Sequence, residues 1–133
     1  TLSDVQSKSK PDDVKIAPIT LEDHVKEYYK EDPILAEIAR CESQYRQFGR
    51  SGQIIRGKVN PKDVGIMQIN ERFHSEQSKK MGFDIRTLDG NLAYAKWLYE
   101  KEGVKPWKSS SKCWSETIDN KVALSNSRNV TQN

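Results

Sequence analysis

The chain has 133 residues, 22 Lys or Arg against 19 Asp or Glu, 35% apolar residues and a mean hydropathy of −0.85. That length suits one domain, in which roughly two thirds of the unfolded surface can be buried. Apolar runs are only a few residues long, which excludes a spanning helix of about 20 apolar residues, and three Trp with five Tyr argue against disorder throughout.

Residues 1–19 are polar, contain Pro11 and Pro18, and read as an extended lead-in or linker. A start at Thr1, with no Met and no apolar leader, reads as a mature or trimmed form. Thr20 followed by Leu-Glu-Asp predicts a helix start with Asp23 in the first turn, running to about Lys30. Asp32-Pro33 predicts a second start, with Asp at the N-cap and Pro at the first helical position. From there Ile34, Leu35, Ile38, Ala39, Glu42 and Tyr45 recur at helical spacing. Glu42 falls on this apolar stripe and not on the charged face of Glu37 and Arg40. A carboxyl forced out of water tends to hold its proton, and a carboxyl protonated near neutral pH is a general acid. The bland alternative is a partly buried ion pair with Arg40 or Arg46.

Gly49, Gly52, Gly57, Asn60 and Pro61 break the helical pattern, and a small hairpin about Gly57 is predicted from Gln53–Arg56 and Lys58–Asn60. The basic excess gathers here. Residues 41–60 hold four basic and one acidic residue, whereas 21–40 hold three basic and six acidic. Arg46, Arg50, Arg56 and Lys58 make either a solvated loop or a surface that attracts an anionic polymer. With both signs mixed elsewhere, no nucleic-acid footprint stands out. Helices follow over about 71–81, ended by Gly82, and about 89–102, ended by Gly103. In the latter Leu92, Ala95, Leu98 and Tyr99 form an inward stripe, with Ala93 and Trp97 beside it. Pro106-Trp107 leads a short turn to Cys113-Trp114, and residues 115–133 read as a polar tail with a weak helix over Thr117–Leu124. The ordered body is thus expected over 20–114.

Two cysteines, Cys41 and Cys113, do not make a zinc site alone and do not form Cys-x-x-Cys. One disulfide is their economical use and implies an oxidising compartment; two separate buried thiols are the alternative. The chain lacks a phosphate-binding Gly-rich loop, a Rossmann fingerprint, a His-Glu-x-x-His pair and a Gly-x-Ser-x-Gly elbow. What remains is carboxylate chemistry, of the kind glycoside cleavage requires, with amides and aromatic faces for sugar contacts. Gln44, Gln68, Asn70, Tyr45, Tyr94, Trp97 and Trp107 are groups of that kind, and for each aromatic a core role competes.

Ala39-Arg40-Cys41-Glu42-Ser43-Gln44-Tyr45 resembles the helix end that carries the Glu-Ser motif of soluble lytic transglycosylases. Asp63-Val64-Gly65-Ile66-Met67-Gln68-Ile69-Asn70 is similar to that family's Gly-Leu-Met-Gln-Ile-Asn signature and to the Asp-x-Gly-Ile-Leu-Gln-Ile-Asn strand of chicken-type lysozymes. Asn91-Leu92-Ala93-Tyr94-Ala95 resembles the family's later helix. The resemblance covers about residues 33–114. It implies a mainly α (α+β) lysozyme-like domain with a small β-hairpin beside the active-site cleft. The implied activity is cleavage of peptidoglycan between N-acetylmuramic acid and N-acetylglucosamine. Glu42 falls on the catalytic acid and base. Ser43 falls on a local hydrogen-bonding position, Gln68 on a residue that contacts substrate or organises Glu42, and Met67 on a pocket wall or the core. Asp63 stands where chicken-type lysozymes carry their second carboxylate, so it is either a stabiliser or nucleophile in hydrolysis or a turn cap. Tyr94 is the loosest match to the transglycosylase tyrosine. The family's Ala-Tyr-Asn-Ala-Gly segment has no clear counterpart, and the close at Pro106-Trp107 to Trp114 is more lysozyme-like, with Trp107 expected over Glu42.

The resemblance favours the transglycosylase product, with a hydrolytic muramidase using Glu42 and Asp63 as the alternative and a non-catalytic glycan-binding module as the second. An interaction module with recruiting tails is compatible with the polar ends. The implied partner is the peptidoglycan glycan strand, met by a monomer without metal or cofactor. The implied location is secreted, periplasmic or cell-envelope associated.

Overall fold

A computed structural model describes residues 19–117. Of the lead-in over 1–19 and the tail over 115–133, residues 1–18 and 118–133 lie outside the described residues, as does the expected weak helix beyond Thr117.

The molecule is mainly helical with a small antiparallel sheet. Helix α1 (Leu21–Tyr28) starts as expected at Thr20, whose Oγ1 accepts the Asp23 N–H at 3.1 Å. It buries Val25 and is pinned at its end by Tyr29, whose hydroxyl donates to the Leu92 carbonyl at 2.7 Å. Helix α2 (Pro33–Ser43) has Pro33 at its start and buries Leu35, Ala36, Ile38 and Ala39. Asp32 occupies the N-cap position without making a side-chain capping bond. Its backbone (φ −133°, ψ 69°) departs from the extended conformation a capping side chain needs.

Helix α2 ends abruptly on two left-handed residues, Gln44 (φ 56°) and Tyr45 (φ 61°). Such a conformation costs a non-glycine residue of order 1 kcal/mol, so the surroundings must hold it. Ser43 does so: its hydroxyl bonds the carbonyls of Ala39 (3.1 Å) and Ile66 (2.8 Å) and accepts the Arg46 N–H at 3.1 Å. The sharp stop leaves Glu42 on the last turn of the helix.

Strands β1 (Asp63–Val64) and β2 (Ile69–Asn70) pair antiparallel, Asp63 opposite Asn70 and Val64 opposite Ile69. Single bridges add Arg56 to Val64 and Phe48 to Ile54. The hairpin therefore turns at residues 65–68 and not about Gly57, which corrects the sequence expectation. Local polar bonds explain the shift. Asn60 Oδ1 accepts the Lys62 N–H and its carbonyl accepts the Asp63 N–H, both at 3.0 Å, so residues 60–63 form a turn. Pro61 has no N–H to give a strand.

The 65–68 turn is held from behind by two buried amides. Asn91 Oδ1 accepts the Met67 N–H (2.9 Å), while its Nδ2 donates to Val64 (3.0 Å) and Ile85 (2.8 Å) carbonyls. Gln47 Oε1 accepts the Ile66 N–H (2.8 Å). Gly65 (φ +80°) is required there, since a Cβ would lie 2.3 Å from Asn91 Nδ2.

Helix α3 (Glu71–Lys80) is capped by Asn70, whose Oδ1 accepts the Phe73 N–H at 3.1 Å. Helix α4 (Leu88–Glu102) starts at Thr87, which caps Gly90, and ends at Gly103 as expected. A 3₁₀ segment (Lys105–Ser110) leads into a last helical stretch over 111–117. The core lies between α1, α2, α4 and the hairpin and includes Leu35, Ile38, Ile66, Met67, Leu92, Tyr94 and Trp107. The Cys41–Cys113 disulfide joins the end of α2 to the 111–117 stretch across 72 residues, so the single bridge expected from the cysteine count is present.

Candidate active site

Two adjoining cavities meet at Glu42. One, of about 120 Å³, is lined by Glu42, Asp63, Gln68, Asn70, His74 and Trp107 among others. The second, of about 460 Å³, runs along the 55–60 loop and is lined by Arg46, Arg56, Lys58 and Asn60, again with Glu42, Asp63 and Gln68. Both carboxylates and Gln68 are thus shared by the two compartments. A larger cavity of about 600 Å³, between Ser75 and Arg86, includes neither carboxylate. Its size does not outweigh the titratable groups that converge in the smaller pair.

Each side chain reaches the groove for a local reason. Glu42 stands on the last turn of α2, half-buried, and Ser110 Oγ donates to its Oε2 at 2.5 Å. Burial pushes the Glu42 carboxyl above its ordinary range. The Ser110 hydrogen bond works against this, and the like charge of Asp63 adds to it. The alternative of an ion pair is not realised among the described residues. Arg40 pairs with Glu37 (3.2 Å), and Arg46 Nε donates to the Ser43 carbonyl (3.1 Å).

Asp63 is presented by β1, directly opposite Asn70. Asn70 Nδ2 donates to Asp63 Oδ1 at 3.1 Å while its Oδ1 caps α3, so one side chain fixes both. Burial raises the Asp63 carboxyl, and the Asn70 bond opposes the rise. Gln68 is held in left-handed backbone (φ 53°), its Nε2 donating to the Gly65 carbonyl at 2.9 Å. Trp107 is anchored by its indole N–H, which donates to the Met67 carbonyl at 2.8 Å, and it walls the smaller cavity together with Glu42.

Ser43 borders the larger cavity, but its hydroxyl is engaged with backbone. Three expected contacts are not brought to the groove: Tyr45, Met67 and Tyr94 line neither cavity. Met67 and Tyr94 are fully buried, and Tyr45 is 9% exposed. Their helical or motif spacing marks an inward direction, and here inward is the core. Tyr94 acts at one remove. Its hydroxyl lies 2.7 Å from His74 Nδ1, and His74 lines the smaller cavity with its basicity lowered by burial.

His74, which lines the smaller cavity, and Ser110, which bonds Glu42 but lines neither cavity, are not marked by the sequence motifs. The only available signal for His74 was its position just after Asn70, one turn into a helix beginning at the groove. Ser110 sits in a run of three serines with nothing to distinguish it.

The groove therefore holds a carboxyl whose proton affinity burial raises, a second carboxylate that shares both cavities with it, and the amides of Gln68 and Asn70. That set can deliver a proton to a leaving oxygen and stabilise developing positive charge. Among the described residues no cluster of three or more His, Cys, Asp or Glu side chains could hold a metal ion. None of the described helices is long and apolar enough to cross a membrane. Comparison with protein-family models, curated proteins and solved structures finds no match to this chain.

Proposed function

We propose that this chain is a lysozyme-like enzyme that cleaves the β-1,4 bond between N-acetylmuramic acid and N-acetylglucosamine in peptidoglycan, with Glu42 as general acid and then base, as a lytic transglycosylase. The observation that carries the reading is Glu42 itself: a half-buried carboxyl with a raised proton affinity, at the junction of two cavities. A polymer cut in its interior needs room on both sides of the acid, and the junction supplies it. The Glu-Ser and Gly-Ile-Met-Gln-Ile-Asn resemblances support the same residue. In this mechanism Glu42 protonates the glycosidic oxygen, and the resulting carboxylate then takes the proton of the muramyl C6 hydroxyl as that oxygen closes the 1,6-anhydro ring. The basic side chains Arg46, Arg56 and Lys58 on the larger cavity suit an anionic wall polymer. The disulfide suits an oxidising location, secreted, periplasmic or at the cell envelope.

Hydrolysis is the second reading, favoured by Asp63. It shares both cavities with Glu42 and raises that carboxyl by its own charge, as a paired stabiliser or nucleophile would. Digestion of purified peptidoglycan tests both. Glu42→Gln should abolish cleavage while the fold persists; full activity in that variant sinks the assignment. Mass spectrometry of the wild-type products reads 1,6-anhydromuramic ends for the transglycosylase and reducing ends for the hydrolase. Asp63→Asn should be severe only in the second case.

A further inference from the structure

The hydroxyl of Ser110 has one proton and three neighbours. Its Oγ lies 2.5 Å from Glu42 Oε2, 3.1 Å from the Trp107 carbonyl and 3.1 Å from Trp114 Nε1. The Trp114 indole is a donor only, so toward Ser110 it can fill a lone pair but never take the hydroxyl proton. The Trp107 carbonyl is an acceptor only, and Trp114 Nε1 also reaches it at 3.2 Å. The hydroxyl proton can therefore go to one of two places, the Glu42 carboxylate or the Trp107 carbonyl.

We propose that Ser110 is a positioning residue for Glu42, a two-way hydrogen-bond partner that keeps the carboxyl in one orientation through both of its protonation states. When Glu42 is ionised, Ser110 donates to Oε2. When Glu42 is protonated, its own O–H donates to Ser110 Oγ, and the Ser110 hydroxyl turns to the Trp107 carbonyl. Either state leaves the carboxyl oxygen partnered, so losing and regaining a proton requires only rotation of the Ser110 hydroxyl and no movement of the Glu42 side chain. The proposal rests on the reading of Glu42 as acid and then base, because only a group that cycles its proton benefits from such a partner.

The frame around Ser110 is stiff. Trp107 is tied to Met67 through its indole N–H, and Cys113, three residues beyond Ser110, is bonded to Cys41, the neighbour of Glu42. Arg40 Nη2 reaches Thr117 Oγ1 at 3.3 Å and so clamps the same stretch to α2. The other charged or titratable groups on the two cavities are Asp63 from β1, His74 from α3, and Arg46, Arg56 and Lys58 from the 46–58 segment. The same segment's Arg56 is committed to Glu71 at 2.7 Å.

The test is the titration of the Glu42 carboxyl by carbon-detected NMR, alongside the pH dependence of cleavage, in wild type, Ser110→Ala, Ser110→Thr and Ser110→Val. Thr and Val have nearly the same shape and differ in the hydroxyl, which separates its role from packing if the Ala variant folds poorly. The expected result is a higher Glu42 midpoint in Ala and Val than in wild type and Thr, because the bond Ser110 gives the ionised carboxylate is charge-assisted and outweighs the one it accepts from the neutral acid. The basic limb of the rate profile should move with it, and kcat should fall by about tenfold, the rate equivalent of one charge-assisted hydrogen bond. KM should change little, since Ser110 acts through Glu42. Equal midpoints in Thr and Val overturn the proposal. The titration needs no turnover, so it reports on Ser110 even if glycan cleavage is not observed. Loss of the cleavage reading with a shifted midpoint, and loss of the Ser110 role with cleavage intact, are different outcomes.

Discussion

Breaking the Cys41–Cys113 bridge is the perturbation whose size follows most directly from the structure. The bond closes a loop across 72 residues. A cross-link of that span removes chain entropy from the unfolded state worth about 4.4 kcal/mol at 25 °C. For a domain of this size each kcal/mol moves the midpoint by roughly 4–8 °C, so reduction should lower Tm by about 18–35 °C. The assay is thermal and urea unfolding by circular dichroism, with and without reductant, and on the Cys41→Ser/Cys113→Ser double variant. The urea slope should rise as well, because the uncrosslinked unfolded chain exposes more surface. Local effects should accompany the global one. The bridge holds the helix that carries Glu42 against the stretch that follows Ser110, so the proposed glycan cleavage should weaken at temperatures where the reduced chain is still folded. A Tm shift below about 5 °C with an unchanged slope would refute the reasoning. It would mean that the reduced unfolded chain already keeps these ends together.

Glu42→Gln should do more than silence the proposed cleavage. The Glu42 proton affinity is raised by folding, so its neutral form stabilises the fold below the unfolded pKa and that contribution is lost as pH rises through the folded value. Gln is neutral throughout, so the variant should gain stability relative to wild type on raising the pH from 4 to 8; a constant difference in urea midpoints over that range would contradict the burial argument. Asn91→Ala should strip the Met67 N–H and the Val64 carbonyl of the hairpin, and the Ile85 carbonyl before α4, of their Asn91 partner. At roughly 1–3 kcal/mol for each buried unpaired group, the loss should be about 3 kcal/mol or more by urea denaturation, and a loss under about 1 kcal/mol would show that water replaces the amide.

The local rules of the backbone explain how much could be read along the chain. Thr20 as a cap, Pro33 at a first turn, and Gly82 and Gly103 just past helix ends act through bonds within a few residues, and the helices begin and end close to them. The position of Glu42 on an apolar stripe is equally local, since 3.6-residue periodicity alone sets which direction it faces. The hairpin is not legible locally, because Gly57 and Asn60 are turn formers in any register and the choice of partner for Arg56 depends on Val64, eight residues on.

Periodicity identifies the side of an element that turns inward but not what lies there, and the candidate site depends on that difference. Met67 and Tyr94 turn into packed core, whereas Glu42 turns into a groove that the hairpin and the 3₁₀ segment leave open beside α2. Asn91 and Gln47 look like ordinary polar residues until the hairpin backbone is laid across them. Ser110 is 68 residues from Glu42, one hydroxyl in a run of serines, and it becomes the partner of that carboxyl through the disulfide and the Trp107 anchor. Helix ends and an inward carboxyl follow from contacts within one or two turns of chain, but the groove, its second carboxylate and the partner of Glu42 require segments far apart in sequence to pack together.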